Sequence, residues 1–122
     1  MKLTNQEIYI YTQNLNGVFT DKTKYLPAKI NFRLQKNAQT LSRLAQEIEE
    51  ERIKILRHYG KETEEGNITI PQENITAAQE ELTGLFNIEQ EVNILTVNID
   101  ALGDLEFSME QMNALMFMIE GE

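Results

Sequence analysis

The chain has 122 residues, carries a net charge of −9, is 41% hydrophobic and contains no cysteine. A chain of this size supports one domain, residues 1–122, with a modest core; the lack of cysteine excludes disulfides and thiolate metal sites and fits a reducing compartment. Its start, MKLTNQEIYIY, lacks the apolar region of a signal peptide, and no window approaches 18 uninterrupted apolar residues. We therefore expect a cytoplasmic protein with no membrane segment.

The first predicted element is a helix over residues 3–15. Thr4 is the expected N-cap, Glu7 completes a capping box, and Leu3 and Ile8 occupy the staple positions on either side. Asn16-Gly17 is expected to end this helix. The following stretch, 16–26, predicts a loop whose apolar residues pack onto the core: Val18, Phe19, Tyr25 and Leu26.

A long helix is predicted over residues 28–59, because the stretch from Pro27 to Gly60 has no internal proline or glycine. Apolar residues recur there at alternating steps of four and three, which lays one stripe along a helix about 50 Å long. Arg52 interrupts the stripe, so we expect it to pair with an acidic residue of a neighbouring helix or to mark where the stripe leaves the body. Pro27 suits a first-turn position, and Gly60 suits a left-handed residue beyond the end.

Residues 60–67 predict a polar turn, and Ile68 to Ile70 predict a short strand. Pro71 opens a second predicted helix over residues 71–86, with apolar residues again at heptad-like spacing. A short loop between two such helices indicates an antiparallel helical hairpin. The second helix covers only the C-terminal half of the first, whose N-terminal half needs the terminal helices or another subunit.

The pattern changes period after Glu91. The β-branched run VNILTVNI predicts a strand over residues 92–99, and residues 105–107 predict a short returning strand. A last helix over residues 109–119 has Ser108 as N-cap and Gln111 in a second capping box. Its apolar residues surround it, so we expect burial on more than one side. The predicted fold is α+β, mostly helical, with a small two- or three-stranded sheet.

Charge is distributed unevenly along the chain. All eleven basic residues lie between Lys2 and Lys61, and from Glu62 onward there are fourteen acidic residues and no basic one. Three interpretations follow: the halves face each other within a chain or across a homo-oligomer, the acidic half binds a partner as a nucleic-acid mimic, or the basic half binds nucleic acid. The third is disfavoured, because an acidic half repels phosphate at long range.

No catalytic motif is present. The single histidine, His58, lies at the end of the long helix, where its charge suits the helix dipole, and no nucleophile is nearby. Glu47, Glu49, Glu50 and Glu51 lack the histidine partners of di-metal helical bundles, which favours a solvated charged face. We expect neither a metal nor a cofactor, and no enzymatic activity.

Three sets of residues are candidates for binding. An acidic set could contact a protein partner: Glu62, Glu64, Glu65, Glu80 and Glu81. The methionine-rich terminal helix offers an adaptable apolar surface at Met112, Met116 and Phe117, unless these fill the core. A basic patch spans residues 22–43: Lys22, Lys24, Lys29, Arg33, Lys36 and Arg43. Aromatic residues such as Phe32 interleave with this patch, which is compatible with base stacking or with simple core packing.

Nearly the whole chain resembles a family of small, uncharacterised proteins of tailed phages and prophages of low-GC Gram-positive bacteria. The resemblance rests on MKLTNQEIYIYTQNL, LPAKINFRLQKNAQTLSRLAQEIEEERIKILRHYG, the turn Gly66-Asn67, EVNILTVNI and MNALMFMIE. It implies a phage protein acting in the cytoplasm of the bacterial host and implies no site residues. We therefore expect a self-associating protein-interaction factor, with an inhibitor of a host defence system or host enzyme as the alternative and a nucleic-acid binder as the third hypothesis.

Overall fold

The computed structural model describes residues 1–18, 25–103 and 105–120. The described residues form a mostly helical α+β fold, as predicted, with these helices: α1 (Asn5–Val18), α2 (Ala28–Tyr59), α3 (Ile75–Phe86) and α4 (Met109–Leu115). Short strands lie between them: β1 (Lys2–Thr4), β2 (Lys61–Glu62), β3 (Ile68–Thr69), β4 (Glu89–Glu91), β5 (Val97–Asn98) and β6 (Ile119–Glu120). These strands pair two by two, β1 with β4 and β2 with β3 antiparallel, and β5 with β6 parallel.

The start of α1 follows the predicted capping box. The Thr4 hydroxyl accepts a hydrogen bond from the Glu7 backbone N–H at 3.1 Å, and the Glu7 carboxylate accepts one from the Thr4 N–H at 2.9 Å. Leu3 and Ile8 are both buried, as the staple requires. The predicted end at Asn16-Gly17 is wrong, because the helix continues to Val18.

The loop after α1 is only partly described. Leu26 packs against the core as predicted, whereas Tyr25 is 81% exposed, so the prediction that it packs inward is wrong. Phe19 and the side chain of Val18 lie outside the described residues.

The long helix α2 has the predicted bounds, but its C-terminal glycine has a different role from the predicted one. Gly60 has φ −124° and ψ −176°, which is extended rather than left-handed. An added Cβ would lie 2.8 Å from the Thr69 carbonyl oxygen and 2.9 Å from that of Leu56. Glycine is therefore needed here because β3 packs closely against the helix end.

The helical hairpin of α2 and α3 is confirmed. The Asn74 amide donates to the Tyr59 carbonyl at 2.9 Å, and the Tyr59 hydroxyl donates to Glu81 at 2.6 Å, so α3 begins beside the end of α2. At its other end, Phe86 meets Tyr9, which in turn bonds to Glu49. The second helix thus runs back along the C-terminal half of the first.

The predicted strand over residues 92–99 is wrong in extent, since regular pairing is limited to β5 and a 3-10 turn begins at Ile99. Residues 92–96 instead have no regular secondary structure, and the described residues 105–107 form no strand. The reason is the fully buried Asn37 of α2. Its amide bonds to both the N–H and the carbonyl of Leu95 at 2.8 Å and so replaces a neighbouring strand.

The last helix is shorter and less buried than predicted. Its capping box of Ser108 and Gln111 is confirmed, but α4 ends at Leu115 and a 3-10 turn follows over Met116–Met118. Met109 and Met116 are 81% and 62% exposed, so the prediction of burial on several sides is wrong. Only one side, with Ala114, Leu115 and Met118, enters the core formed with α1, α2 and the 92–98 segment.

Candidate interaction surfaces

A groove with a mainly apolar wall lies between α1 and α3. We call it the α1–α3 groove; its volume is about 420 Å³, and it is lined by Gln6, Tyr9, Ile10, Leu82, Thr83, Phe86 and Asn87. Tyr9 and Phe86 form its floor in an edge-to-face contact with ring centroids 5.9 Å apart. Ile10 remains 43% exposed, and Ile88, just beyond α3, is 50% exposed.

A polar network fixes the Tyr9 side of this groove. The Tyr9 hydroxyl donates to Glu49 at 3.2 Å, and Arg52 donates to the same carboxylate from Nε at 2.9 Å. The hydrogen bond from Arg52 lowers the pKa of Glu49, and burial followed by the hydrogen bond to Glu49 raises the pKa of Tyr9. Arg52 therefore pairs within its own helix rather than with a neighbouring one, and Glu49 is not a purely solvated carboxylate.

The acidic candidate residues divide into two groups. Glu62 pairs with Arg57 at 2.9 Å, and Glu81 accepts a hydrogen bond from Tyr59 that raises the pKa of the tyrosine. Glu64 and Glu65 lie in the turn between β2 and β3, and Glu80 lies on α3; all three are exposed and have no partner among the described residues.

The apolar candidates of the terminal helix do not form one surface. Phe117 stacks on Tyr11 with ring centroids 4.7 Å apart and an interplanar angle of 11°, and Met112 is half-buried against the core. Met116 alone of the three is exposed, at 62%. This region thus mainly fills the core, and it offers single exposed methionines rather than a groove.

The basic candidates lie along the N-terminal half of α2, except Lys22 and Lys24, which lie outside the described residues. Arg33 donates to the carbonyl of Thr96, and the Lys36 ammonium lies 5.7 Å from the centroid of the Phe32 ring. Within the described ranges, no carboxylate pairs with Lys29, Lys36 or Arg43. The basic patch is therefore not neutralised by the acidic half of its own described chain.

Among the described residues, the ion pairs between the two halves lie outside the basic patch. Lys2 approaches Glu89 at 3.8 Å across the pairing of β1 and β4, and Arg57 meets Glu62 only five residues away. Lys54 pairs with Glu51 within α2. Pairing of the two halves within one chain thus neutralises only a small part of the charge on the described residues.

Potential metal ligands do not cluster among the described residues. These residues contain no group of three or more histidine, cysteine or carboxylate side chains that could hold a metal ion. His58 is exposed and packs edge-on against Tyr59 at the end of α2. None of the helices in the described ranges combines the length and apolar character needed to cross a bilayer.

No protein-family model matches this chain, no curated protein is detectably similar to it, and no solved structure matches its fold.

Sequence reasoning did not identify the α1–α3 groove. Ile10 falls outside the apolar face of Ile8, Tyr11 and Leu15, and that misplaced isoleucine was the available signal. Leu82 belongs to the heptad-like apolar spacing of the predicted second helix, and Phe86 lies beside it. In the structure, Ala78 is buried, whereas Leu82 and Phe86 are partly buried and line the groove beside α1.

Proposed function

We propose that this protein is a non-enzymatic interaction factor that binds an amphipathic helix of a partner protein in the α1–α3 groove. The supporting observation is a concave, mainly apolar surface between two helices on which Ile10 is exposed and Leu82 and Phe86 are only partly buried. Grooves of this kind bind the apolar face of a helix through anchors spaced three, four and seven residues apart. Ile75, also partly exposed, extends the same face of α3 by two turns.

The net acidity of residues 62–120 favours a basic partner helix. Glu80 lies on α3, and Glu64 and Glu65 lie in the turn between β2 and β3, all without a described partner. This acidity would attract a partner that carries lysine or arginine, which speeds encounter and selects against acidic partners. The alternative proposal is an inhibitor. It would bind a basic host protein through this acidic half, which would mimic nucleic acid.

The resemblance to phage proteins suggests where this factor would act. A small phage factor in the cytoplasm of its host would act by occupying or assembling other proteins, which requires a binding surface and no catalytic centre. Self-association is part of this proposal. Light scattering over a range of concentrations tests it, and a strict monomer throughout contradicts it.

The groove can be tested without knowing the natural partner. A displayed library of helical peptides is selected on the immobilised original protein alone, and the affinity of the selected peptides is then measured for Ile10→Gln, a substitution that keeps helix propensity and removes the apolar contact. The matched control is Ile99→Gln, because Ile99 is also 43% exposed but lies in the 3-10 turn after β5. Selected peptides should carry apolar residues at helical spacing with lysine or arginine beside them.

We expect Ile10→Gln to weaken binding of the selected peptides by about tenfold or more, since an isoleucine contact contributes up to about 2 kcal/mol. Ile99→Gln should leave the affinity within about twofold of the original protein, a difference under 0.5 kcal/mol. Peptides that bind Ile10→Gln and the original protein equally, or that lack helical spacing, would overturn the proposal. Enrichment of acidic peptides would overturn its electrostatic part.

A further inference from the structure

The N-terminal half of α2 carries a row of cations at a regular spacing. Lys29, Arg33, Lys36 and Arg43 stand at steps of four, three and seven residues, which places them on one side of the helix. The buried residues Ile30 and Leu34 each follow a cation by one position, so the row lies about 100° around the helix from the core-facing stripe. We call these four residues the basic row.

Exposed aromatic rings accompany the basic row. Phe32 is 60% exposed and Tyr25 is 81% exposed, although large aromatic side chains normally contribute to a core. A cleft of about 580 Å³ opens beside Phe32, lined by Ala28, Lys29, Phe32, Arg33 and Leu95. The volume falls within the range of ordinary ligand sites, and the cleft is lined by three apolar residues and two cationic ones.

The beginning of α2 adds positive potential at the same end. Pro27 precedes the helix and provides no side-chain cap, and the first turn contains no acidic residue. The N–H groups of the first turn and the positive end of the helix dipole are thus not offset by a carboxylate of that turn. Arg52, Lys54 and Arg57 each pair with a carboxylate, whereas the four cations of the basic row have no described carboxylate partner.

We propose that the basic row and Phe32 form a binding site for single-stranded nucleic acid. Cations alone would fit any polyanion, but an exposed ring among them favours a ligand that alternates negative charge with flat apolar faces. Phosphates would contact Lys29, Lys36 and Arg43 over about 21 Å of helix, and a base would stack on Phe32. This site is separate from the α1–α3 groove.

The acidity of the chain does not prevent this binding at ordinary salt. The hairpin turn with Glu64 and Glu65 follows the far end of α2, more than 30 Å from Lys36 at about 1.5 Å per residue. Charges are screened over about 8 Å at physiological ionic strength. The segment that borders the cleft, Val92 to Asn98, contains no carboxylate. Repulsion between the acidic residues and the nucleic acid therefore slows association more than it weakens the bound complex.

The test is fluorescence anisotropy of the whole protein with labelled oligo-dT and oligo-U over a range of salt concentrations. Three variants accompany it. Phe32→Leu keeps an apolar side chain and removes the ring, the double variant Lys29→Gln and Lys36→Gln removes two phosphate contacts, and Lys54→Gln is the control, since Lys54 is a 73% exposed lysine of the same helix that pairs with Glu51.

We expect affinity to fall with salt, and the double variant to reduce the logarithmic slope by about 1.4, or about 0.7 for each lost phosphate contact. Phe32→Leu should weaken binding about tenfold and leave the slope unchanged, because it removes stacking alone. Lys54→Gln and the groove variant Ile10→Gln should bind like the original protein. The result is thus independent of the proposed function.

Three outcomes would overturn the inference. One is the lack of any binding at low salt, and another is equal affinity for Phe32→Leu and the original protein. The third is competition by polyglutamate as effective as that by oligo-dT. That result would assign the basic row to an acidic protein segment, including the acidic turn of a second copy.

Discussion

At the scale of single residues, Asn37 holds the fold together where a strand was expected. Its side chain is completely buried and satisfies both backbone groups of Leu95. Asn37→Ala removes both bonds and leaves the Leu95 N–H and carbonyl without partners. We expect a loss of about 2–4 kcal/mol in the free energy of unfolding, measured by urea denaturation.

The matched control for Asn37 is Asn31 on the same helix. Asn31 is exposed, and Asn31→Ala should change stability by less than about 0.5 kcal/mol, with a small gain from helix propensity. If Asn37→Ala were as stable as Asn31→Ala, the 92–96 segment would not depend on this side chain.

Glu49 is the residue for which pH matters most clearly. The hydrogen bond from Arg52 holds the pKa of its carboxyl below the usual 4.5. A lowered pKa in the folded state contributes stability that is present above pH 4.5 and is lost as the pH falls through the folded value. Glu49→Gln should cost about 0.5–1 kcal/mol at pH 7, since the pair is partly exposed.

The difference between Glu49→Gln and the original protein should close in acid, because the protonated carboxyl no longer attracts Arg52. Urea denaturation at several pH values measures this convergence. The control is Glu50→Gln, which alters an exposed neighbouring carboxylate. Its free energy of unfolding should change with pH in the same way as that of the original protein. A constant difference from pH 7 to pH 3 would show that Glu49 acts through packing instead.

At the scale of elements, we expect the substitution of glycine by alanine to have opposite effects on stability at two positions. Gly60→Ala places a Cβ 2.8 Å from the backbone of β3, so the β2–β3 hairpin must shift, and we expect a loss of about 1–3 kcal/mol. Gly84→Ala on α3 meets no atom within 4 Å and should gain up to about 1 kcal/mol from helix propensity. Thermal unfolding of both variants tests this prediction. A change in stability of the same sign in both variants would contradict it.

The elements that local chemistry controls could be predicted, and those that tertiary contacts control could not. Thr4 and Ser108 each cap a helix through residues three positions away, so their role is visible in the sequence. Strand β1 pairs with β4 across some ninety residues, and no local pattern distinguishes Lys2–Thr4 as a strand. The β-branched run after Glu91 suggested a strand, but its neighbour is a side chain of α2.

At the scale of the whole molecule, the basic row could be predicted from the sequence and the α1–α3 groove could not, because only the first depends on local spacing. The basic row lies within one helix, so its spacing is readable from the sequence alone. The α1–α3 groove joins residues more than seventy positions apart, and its exposure depends on how the packing of α3 leaves Leu82 and Phe86 only partly buried. Periodicity identifies an apolar face of a helix, but it does not identify which part of that face a partner helix leaves open.

The charge distribution predicts how the whole molecule responds to salt. From Glu62 to Glu120 the described residues include twelve carboxylates and no cation, and Glu62, Glu89 and Glu91 form ion pairs with described residues. Mutual repulsion that involves exposed carboxylates without a described partner, such as Glu64, Glu65 and Glu80, opposes the compact state, and salt screens it. Sodium chloride should therefore raise the Tm by a few degrees, measured by calorimetry at pH 7.

Neutralising part of this charge should remove part of the salt response. The triple variant Glu64→Gln, Glu65→Gln and Glu80→Gln removes three exposed carboxylates that have no described partner and should raise the Tm in low salt. The variant and the original protein should then converge as salt increases, because screening leaves less repulsion to relieve. A Tm that falls with added salt would mean that the ion pairs of α2, which screening weakens, outweigh the repulsion of the acidic half.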